Sequence, residues 1–258
     1  AARASVPIQE QVQTGIEYLK QRVGAKAFIV YFQPYSNTYA SLGDLKPLYQ
    51  EALEHPDVVG LSVGTRPDCV DEAKLAYLQE LSQEYFVTIE YGIETAHDET
   101  LQLVNRGHDY SCTVEAIKRT ANRGIYICGH VILGFPNETE EQMLNTADEV
   151  SKLPINFLKI HNLHIVRHTE MAREYFKRPF HLFSFEEWVD LVCRFLERLS
   201  PHIIVERLHG EAPKDLLIAP LWGTNGSKII LAIQQQLKRR NTFQGRLVKD
   251  GRIKQEDG

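Results

Sequence analysis

The sequence predicts an α/β protein whose parallel strands and outer helices form a (β/α) barrel. Apolar runs of strand length alternate with segments of helical period roughly every 30 residues, which is typical of βαβ units. Open doubly wound sheets share this alternation, but no Gly-x-Gly-x-x-Gly pattern follows the first strand, which disfavours a dinucleotide-binding sheet. Polar residues recur on one face of several strands, and this favours the barrel, where alternate residues point inward.

The first half of the chain contains four strands separated by helices. Segments with apolar residues three and four positions apart predict helices, and continuous apolar runs predict strands buried on both faces. Gly124 closes the last helix of this half, at a position that favours a left-handed backbone. The predicted helices are 8–22, 45–53, 71–83 and 112–124, and the predicted strands are 27–32, 58–63, 85–92 and 125–134.

The second half continues the alternation after a Gly-Phe-Pro turn. Pro136 ends the strand, and Asn137 or Thr139 can cap the next helix, whose first turn is acidic as the helix dipole favours. The predicted helices are 138–153, 186–199 and 227–240, and the predicted strands are 156–166 and 202–208. We expect a single barrel core over residues 1–245 and a loose polar tail over residues 246–258.

The composition is that of an ordinary globular protein, with 43% hydrophobic and 24% charged residues. A net charge of -5 argues against a broadly basic surface for nucleic acids. No apolar run approaches the roughly 20 residues of a membrane span, and the first residues lack the pattern of a signal peptide, so we expect a cytoplasmic protein. The four cysteines lack metal-type spacing and are expected to be free thiols: Cys69, Cys112, Cys128 and Cys193.

Polar residues share one face of four strands, near the end of each strand. Side chains two positions apart on a strand point the same way, and a structural barrel core would carry Val, Ile and Leu there. We therefore expect a ligand cavity at the C-terminal mouth of the barrel, and a polar rim that faces solvent is the alternative. The residues are Ser62, Gly64 and Arg66; Glu90, Gly92 and Glu94; Cys128 and His130; Lys159 and His161.

Four segments resemble motifs of radical S-adenosylmethionine (SAM) enzymes, in the order of that family. GHVILGFPNET at 129–139 resembles the fifth-strand G-x-I-x-G-x-P-x-E-T motif. YGIETAHDETLQLVNRGHD at 91–109 resembles the fourth-strand segment of the coproporphyrinogen oxidase and Elp3-like group. YFQPYSNTYA at 31–40 and GLSVGTRPD at 60–68 narrow the resemblance to YhcC-like Fe-S oxidoreductases. The resemblance runs from about residue 8 to LKRRNTFQG at 237–245.

The resemblance implies a reaction and two cofactors. In the family, a [4Fe-4S] cluster reductively cleaves SAM, and the resulting 5′-deoxyadenosyl radical abstracts hydrogen from the substrate. The resemblance also implies an electron donor such as flavodoxin or ferredoxin, and it implies no membrane partner. The substrate is unknown, either RNA or a small molecule.

The cluster motif is the point at which the sequence departs from the family. Radical SAM enzymes hold the cluster with a CxxxCxxC loop after their first strand, and this motif does not occur in the 258 residues. Residues 9–22 match the helix that follows the loop. We therefore expect that a preceding segment with the first strand and the cluster loop is absent, so that the chain is a truncated, partial barrel without activity of its own. A natural descendant that has lost the cluster is the alternative.

The resemblance also assigns SAM contacts to particular residues. Gln33, Asn37 and Thr38 match positions that contact the methionyl group, although Ser-Asn-Thr is also ordinary turn chemistry. Glu94 matches a position whose side chain accepts hydrogen bonds from the ribose hydroxyls. Arg106 matches an arginine that binds the SAM carboxylate, an anion that suits a guanidinium.

Four further residues are expected in the same site. Gly134 belongs to the turn that forms the lip of the adenine pocket, and His130 stands where coproporphyrinogen-type relatives have Asp. Arg66 is expected to serve the substrate or SAM, and His161 to line the cavity. His161, His164 and His168 suggest a zinc site, but none is expected, because His161 and His164 are three apart on a strand and point to opposite faces.

Two other functions remain open from the residues alone. A lyase or aldolase would use Lys159 as a Schiff base inside an acidic barrel mouth. A non-catalytic RNA-binding module would suit the Elp3-like kinship, but it would need a basic stripe that the composition does not show.

We expect this chain by itself to bind no [4Fe-4S] cluster, because it lacks three cysteines at the cluster spacing. After anaerobic reconstitution with iron and sulfide, EPR and absorbance spectra should show no [4Fe-4S] signal. A radical SAM enzyme with an intact CxxxCxxC loop, treated in parallel, is the positive control. A stoichiometric cluster on this chain would contradict the prediction.

Overall fold

The computed structural model describes residues 6–248, in which helices and strands alternate as predicted. The helices are α1 (Ile8–Val23), α2 (Leu42–Leu53), α3 (Glu72–Leu81), α4 (Asp98–Leu103), α5 (Tyr110–Thr120), α6 (Glu140–Val150), α7 (Glu170–Lys177), α8 (Phe185–Arg198) and α9 (Gly226–Arg239). The strands are β1 (Phe28–Phe32), β2 (Val58–Thr65), β3 (Phe86–Glu94), β4 (Tyr126–Leu133), β5 (Phe157–Asn162), β6 (Ile165–Val166), β7 (Ile204–Arg207) and β8 (Leu217–Ala219). None of these helices is both long and apolar enough to cross a membrane.

Six of the strands form one sheet in the order β1-β2-β3-β4-β5-β7. β1 pairs with β2, β2 with β3 and β5 with β7, and each of these pairs is parallel. At least one helix lies in the chain between every two neighbouring strands, as parallel pairing requires. The fold is therefore α/β with the strand order of a partial (β/α) barrel, and the predicted fold class is confirmed.

Two compact units make up the described residues, the first of 6–93 and 111–129 and the second of 94–110 and 130–248. The single core over 1–245 stays a prediction. In the predicted tail, the amide of Leu247 donates to the carbonyl of Glu197 at 2.8 Å. Residues 249–258 of that tail lie outside the described residues.

The strands of the first unit have one apolar face and one polar face. Leu61 and Val63 of β2 and Ile89 of β3 are completely buried. Ser62 and Glu90 alternate with them along the same strands and therefore lie on the opposite face. Ser62 Oγ donates to Glu90 Oε1 at 2.6 Å, so these two polar residues share a face, as the strand period predicts.

The second unit contains the helices α6, α8 and α9, and α8 packs against the other two. Both α6 and α8 begin with a capping box, Thr139 with Gln142 and Ser184 with Glu187. Each box satisfies two backbone amides that would otherwise lack a partner at the helix start. Of the two candidate caps for α6, the structure selects Thr139.

The structure differs from the predicted elements after residue 156. The predicted strand 156–166 is two strands, because β5 stays in the six-stranded sheet whereas β6 forms a separate antiparallel pair with β8. The sequence patterns predict neither β8 nor the short helices α4 and α7. Burial stabilises this region, since Ile165 and Ala172 lie in an apolar cluster with Phe135 and Leu163. Such partners are far apart in the chain, so a local pattern cannot show them.

Gly60 of β2 is a position at which any side chain would disturb the sheet. A Cβ added there would overlap the backbone carbonyl oxygen of Phe86 on β3 and crowd Cγ1 of Ile29. Because that carbonyl is held by the strand pairing, we expect Gly60→Ala to lower the free energy of unfolding by about 1–3 kcal/mol. Equilibrium urea denaturation measures the change.

Gly15→Ala in α1 is the matched control, because a Cβ on Gly15 would meet no heavy atom within 4 Å. Alanine favours the helix interior, so this change should raise the free energy of unfolding by about 0.5–1 kcal/mol. Stabilisation by both substitutions would show that β2 and β3 do not approach closely at Gly60.

Candidate active site

The end of β3 carries the first pair of candidate site residues. Glu94, the last residue of β3, has a φ of 64°, in the left-handed region that residues other than glycine rarely adopt. Its Oε1 lies 3.2 Å from Nη2 of Arg106, and only 17% and 19% of the two side chains are exposed. A backbone of this kind costs free energy and is concentrated at functional sites.

The loop after α4 turns Arg106 back toward Glu94. Its two neighbours, Asn105 and Gly107, have φ values of 53° and 82°. Asparagine tolerates this conformation, and glycine has no Cβ to oppose it. The amide of Arg106 donates to the carbonyl of Leu101 at 2.9 Å, which closes α4. The Asn-Arg-Gly sequence is therefore the local device that positions the guanidinium.

The Gly-Phe-Pro turn connects β4 to α6, and the predicted strand-to-helix turn is confirmed. Gly134 has a φ of 106°, which a side chain would strain. A Cβ there would also lie 3.4–3.5 Å from the ring of Phe183 and Cβ of Leu163. Phe135 is buried. The positive φ of Gly134 and the burial of Phe135 thus fix the shape of the turn.

Two side-chain hydrogen bonds connect the segment after β3 to the turn before α6. Thr95 Oγ1 donates to Glu138 Oε1 at 2.6 Å, and Asn137 Nδ2 donates to Thr100 Oγ1 at 2.8 Å. Thr95 and Glu138 are buried, and Glu138 Oε2 has no hydrogen-bond partner within residues 6–248. These bonds hold Glu94 in place relative to the turn. Glu138 belongs to the GHVILGFPNET motif, where the sequence predicts only an acidic helix start. Its hydrogen bond with Thr95 is visible only in the structure.

His130 of β4 and His161 of β5 form the second pair. His161 Nε2 lies 3.2 Å from His130 Nδ1, and the two rings stack with centroids 5.2 Å apart and planes 14° apart. Burial, and then the neighbouring His130, lower the pKa of His161 from 6.5 to about 3. His164 has a different partner, since its Nε2 lies 3.0 Å from Asn162 Nδ2. His161 and His164 thus have different hydrogen-bond partners, although His164 also lowers the pKa of His161.

The loop after β1 holds the three predicted contacts to the methionyl group. Asn37 Nδ2 donates to the carbonyl of Gly64 at 3.0 Å, and Thr38 Oγ1 donates to the carbonyl of Cys69 at 2.8 Å. Asn37 therefore ties this loop to the end of β2, and Thr38 ties it to the segment after β2. Gln33 is exposed to solvent. The SAM contacts of these three residues stay a prediction.

Arg66 follows β2 and pairs with a residue close by in the chain. Its Nε donates to Asp68 Oδ1 at 2.8 Å, and this hydrogen bond raises the pKa of the guanidinium. Its role toward SAM or substrate stays a prediction.

On the polar face of the same unit, Glu90 accepts hydrogen bonds from Tyr31 at 2.8 Å and Ser62 at 2.6 Å. The alternation of β3 places Glu90 on the expected cavity face, but none of the predicted SAM contacts involves this buried carboxylate.

Comparison with known proteins decides the family. The model of the radical SAM superfamily matches residues 3–150, and that of the Radical_SAM C-terminal domain matches residues 155–239. The chain belongs to the radical SAM superfamily. An uncharacterised protein of Methanocaldococcus jannaschii is 39% identical over 244 residues, which are 94% of this chain and 76% of that protein. YhcC of Escherichia coli is 37% identical over 202 residues, which are 78% of this chain and 65% of that protein.

The solved structures show the same fold. Elp3 of the archaeon Methanocaldococcus infernus, in a form with an N-terminal deletion, matches with a TM-score of 0.80 at 16% identity. The match covers 92% of this chain and 60% of that one. The predicted membership in the radical SAM superfamily, with YhcC-like and Elp3-like relatives, is confirmed. Radical SAM proteins are an enzyme family that uses SAM and a [4Fe-4S] cluster and needs a reductant.

The described cysteines do not supply three thiolates for a radical SAM cluster. Cys69, Cys112 and Cys128 lie in three different elements of the first unit, and Cys193 lies in α8 of the second. Among residues 6–248, no three cysteines come close enough to share a metal. Burial raises the pKa of Cys69 and brings that of Cys193 to about 11, which disfavours the thiolates that a cluster needs.

We expect the imidazole of His161 to stay neutral in the folded protein down to about pH 4, because its pKa is lowered to about 3. The unfolded chain takes up this proton near pH 6.5 and the folded site does not. The residue's contribution to stability is therefore complete above pH 6.5 and falls as the pH drops toward 3. Imidazole NMR shifts across a pH series measure the protonation directly.

The same protein in concentrated urea is the control, in which the His161 signal should titrate near the ordinary value of about 6.5. In His161→Gln, the free energy of unfolding should also fall less steeply than in wild type between pH 6.5 and pH 3. A midpoint for folded His161 near that of the unfolded chain would contradict the stated burial of the ring.

Proposed function

We propose that this chain is the core of a radical SAM Fe-S oxidoreductase, which cleaves SAM reductively and removes a hydrogen atom from its substrate. The observation that carries the proposal is the pair of Glu94 and Arg106. The Thr95–Glu138 hydrogen bond ties this pair to the Gly134 turn. Support comes from the family match and from the motifs that contain these residues.

The donors and acceptors of the second unit fit SAM. A ribose diol can donate to the carboxylate of Glu94, and an amino-acid carboxylate can accept from the guanidinium of Arg106 in a bidentate pair. In the structure these two groups form an ion pair at 3.2 Å. A ligand with both groups would pair its diol with Glu94 and its carboxylate with Arg106. Each side chain would then keep a hydrogen-bonding partner when the ion pair separates.

In this superfamily, SAM and a [4Fe-4S] cluster together supply a 5′-deoxyadenosyl radical. The contribution of this chain is to bind SAM through Glu94 and Arg106, to shape the adenine edge with the Gly134 turn and to keep water from the site. His130 and His161 would line the cavity as a stacked pair. The remaining contacts of the proposal are those of Gln33, Asn37, Thr38 and Arg66.

Further parts of the proposal concern the partners and the compartment. We propose flavodoxin or ferredoxin as the electron donor, and a small molecule or RNA as the substrate. Free thiols at all four cysteines support a cytoplasmic location.

The lyase alternative has less support, because Lys159 forms an ion pair with Glu206 at 3.6 Å and a Schiff-base lysine reacts as the neutral amine.

We expect the chain to bind SAM weakly, with a Kd on the order of 0.1–1 mM, because chelation by iron is missing. Glu94→Gln keeps the size of the side chain but loses its charge, and Glu94→Ala loses the acceptor entirely. A charged hydrogen bond contributes about 1.5–3 kcal/mol, so Glu94→Ala should weaken SAM binding by about tenfold or more. Isothermal titration calorimetry with SAM measures this.

Glu99→Ala is the matched control, since Glu99 is an exposed carboxylate on α4 and its loss should leave SAM binding unchanged. In the complete, cluster-loaded protein, Glu94→Ala should also slow 5′-deoxyadenosine formation without changing the cluster spectrum. Wild-type SAM affinity and cleavage in Glu94→Ala would show that Glu94 is not a SAM ligand.

A further inference from the structure

A β-bulge at the end of β7 places Arg207 on the polar face of the sheet. The pairing of β5 with β7 shifts by one residue, so that Lys159 lies opposite Arg207 and Glu206 is the extra residue. In a regular register, Arg207 would lie opposite Ile160, which is completely buried on the other face. Bulges of this kind redirect side chains and occur frequently beside active sites.

Arg207 carries a charge that the described residues leave without a counterion. It is half-buried, and its side chain forms no hydrogen bond or ion pair with any residue between 6 and 248. Lys159, by contrast, has Glu206 at 3.6 Å. Arg207 and Lys159 both act electrostatically on His161, so the two cations and this imidazole lie within reach of one another.

A partly desolvated guanidinium without a counterion loses hydration, and a bound anion restores the lost interactions. We propose that Arg207, together with Lys159 and the His130–His161 pair, binds the anionic group of a small-molecule substrate, either a carboxylate or a phosphomonoester. This inference rests on the proposed function, because it names the substrate chemistry of the same site.

A small molecule fits this subsite better than a nucleic acid. A nucleic-acid backbone binds through many phosphate contacts along a basic surface. The chain has a net charge of -5, and the subsite offers two cations, one of which is paired with Glu206. The subsite therefore suits a compact ligand with one anionic group. Arg207 would bind that group, and Lys159 and the two imidazoles would surround it.

The test is a titration of the chain with inorganic phosphate and with acetate, followed by the imidazole NMR signals of His130 and His161. We expect saturable shifts with at least one of the two anions, and the anion that binds identifies the substrate group. Arg207→Gln should weaken this binding by about tenfold or more, since it removes the bidentate charged donor. Equal binding by wild type and Arg207→Gln would overturn the proposal.

Arg167→Gln is the matched control, because Arg167 is an exposed arginine outside the subsite, and it should bind the anions as wild type does. Arg207→Lys keeps the charge and replaces Arg207→Gln if that variant does not fold; it should bind more weakly than wild type. Dimethyl phosphate stands for a nucleic-acid backbone, and tighter binding of this diester than of both other anions would overturn the small-molecule assignment.

SAM binding is measured separately, so that the two proposals can fail independently. Competition between phosphate and SAM would place Arg207 in the SAM site and overturn the substrate subsite, while the proposed function stands. Phosphate binding that is lost in Arg207→Gln, combined with wild-type SAM binding in Glu94→Ala, would uphold the anion site and contradict the SAM assignment.

Discussion

The hydrogen bond from Thr95 to the buried carboxylate of Glu138 is the contact on which the candidate site depends. At 2.6 Å it joins the residue that follows Glu94 to the turn before α6. A left-handed backbone at a glutamate persists only where its surroundings hold it, and this short hydrogen bond between buried groups fixes the residue next to Glu94. The site is therefore built from two segments that constrain each other, rather than from a single loop.

Polar residues on the strands are tolerated because they are paired with one another. Glu90 is buried but accepts from Tyr31 and Ser62, which replace the hydrogen bonds lost from water. His161 is kept neutral by burial and hydrogen-bonds to His130. In each unit, local hydrogen bonds thus offset the free-energy cost of burying polar groups on the strands.

Arg106 and Arg207 of the second unit differ in a way that bears on ligand binding. Arg106 has an internal counterion in Glu94, so an anion must compete with that carboxylate unless the ligand also satisfies it. Arg207 has none among the described residues, so an anion can bind there without separating a pair. This contrast suits the two proposed ligands. A zwitterionic cofactor with a diol would bind at Arg106 and Glu94, and a simple anion would bind at Arg207.

The sequence by itself determined the α/β class, the main helices and strands, and the residues that match the family motifs, such as Glu94 and Arg106. These follow from local periodicity, capping and short motifs, which depend on neighbours in the chain. Only the tertiary structure decided that Glu138 holds Thr95, that 156–166 divides into β5 and β6, and that a bulge redirects Arg207. Each of these depends on a partner distant in sequence, whose approach is set by strand register and packing.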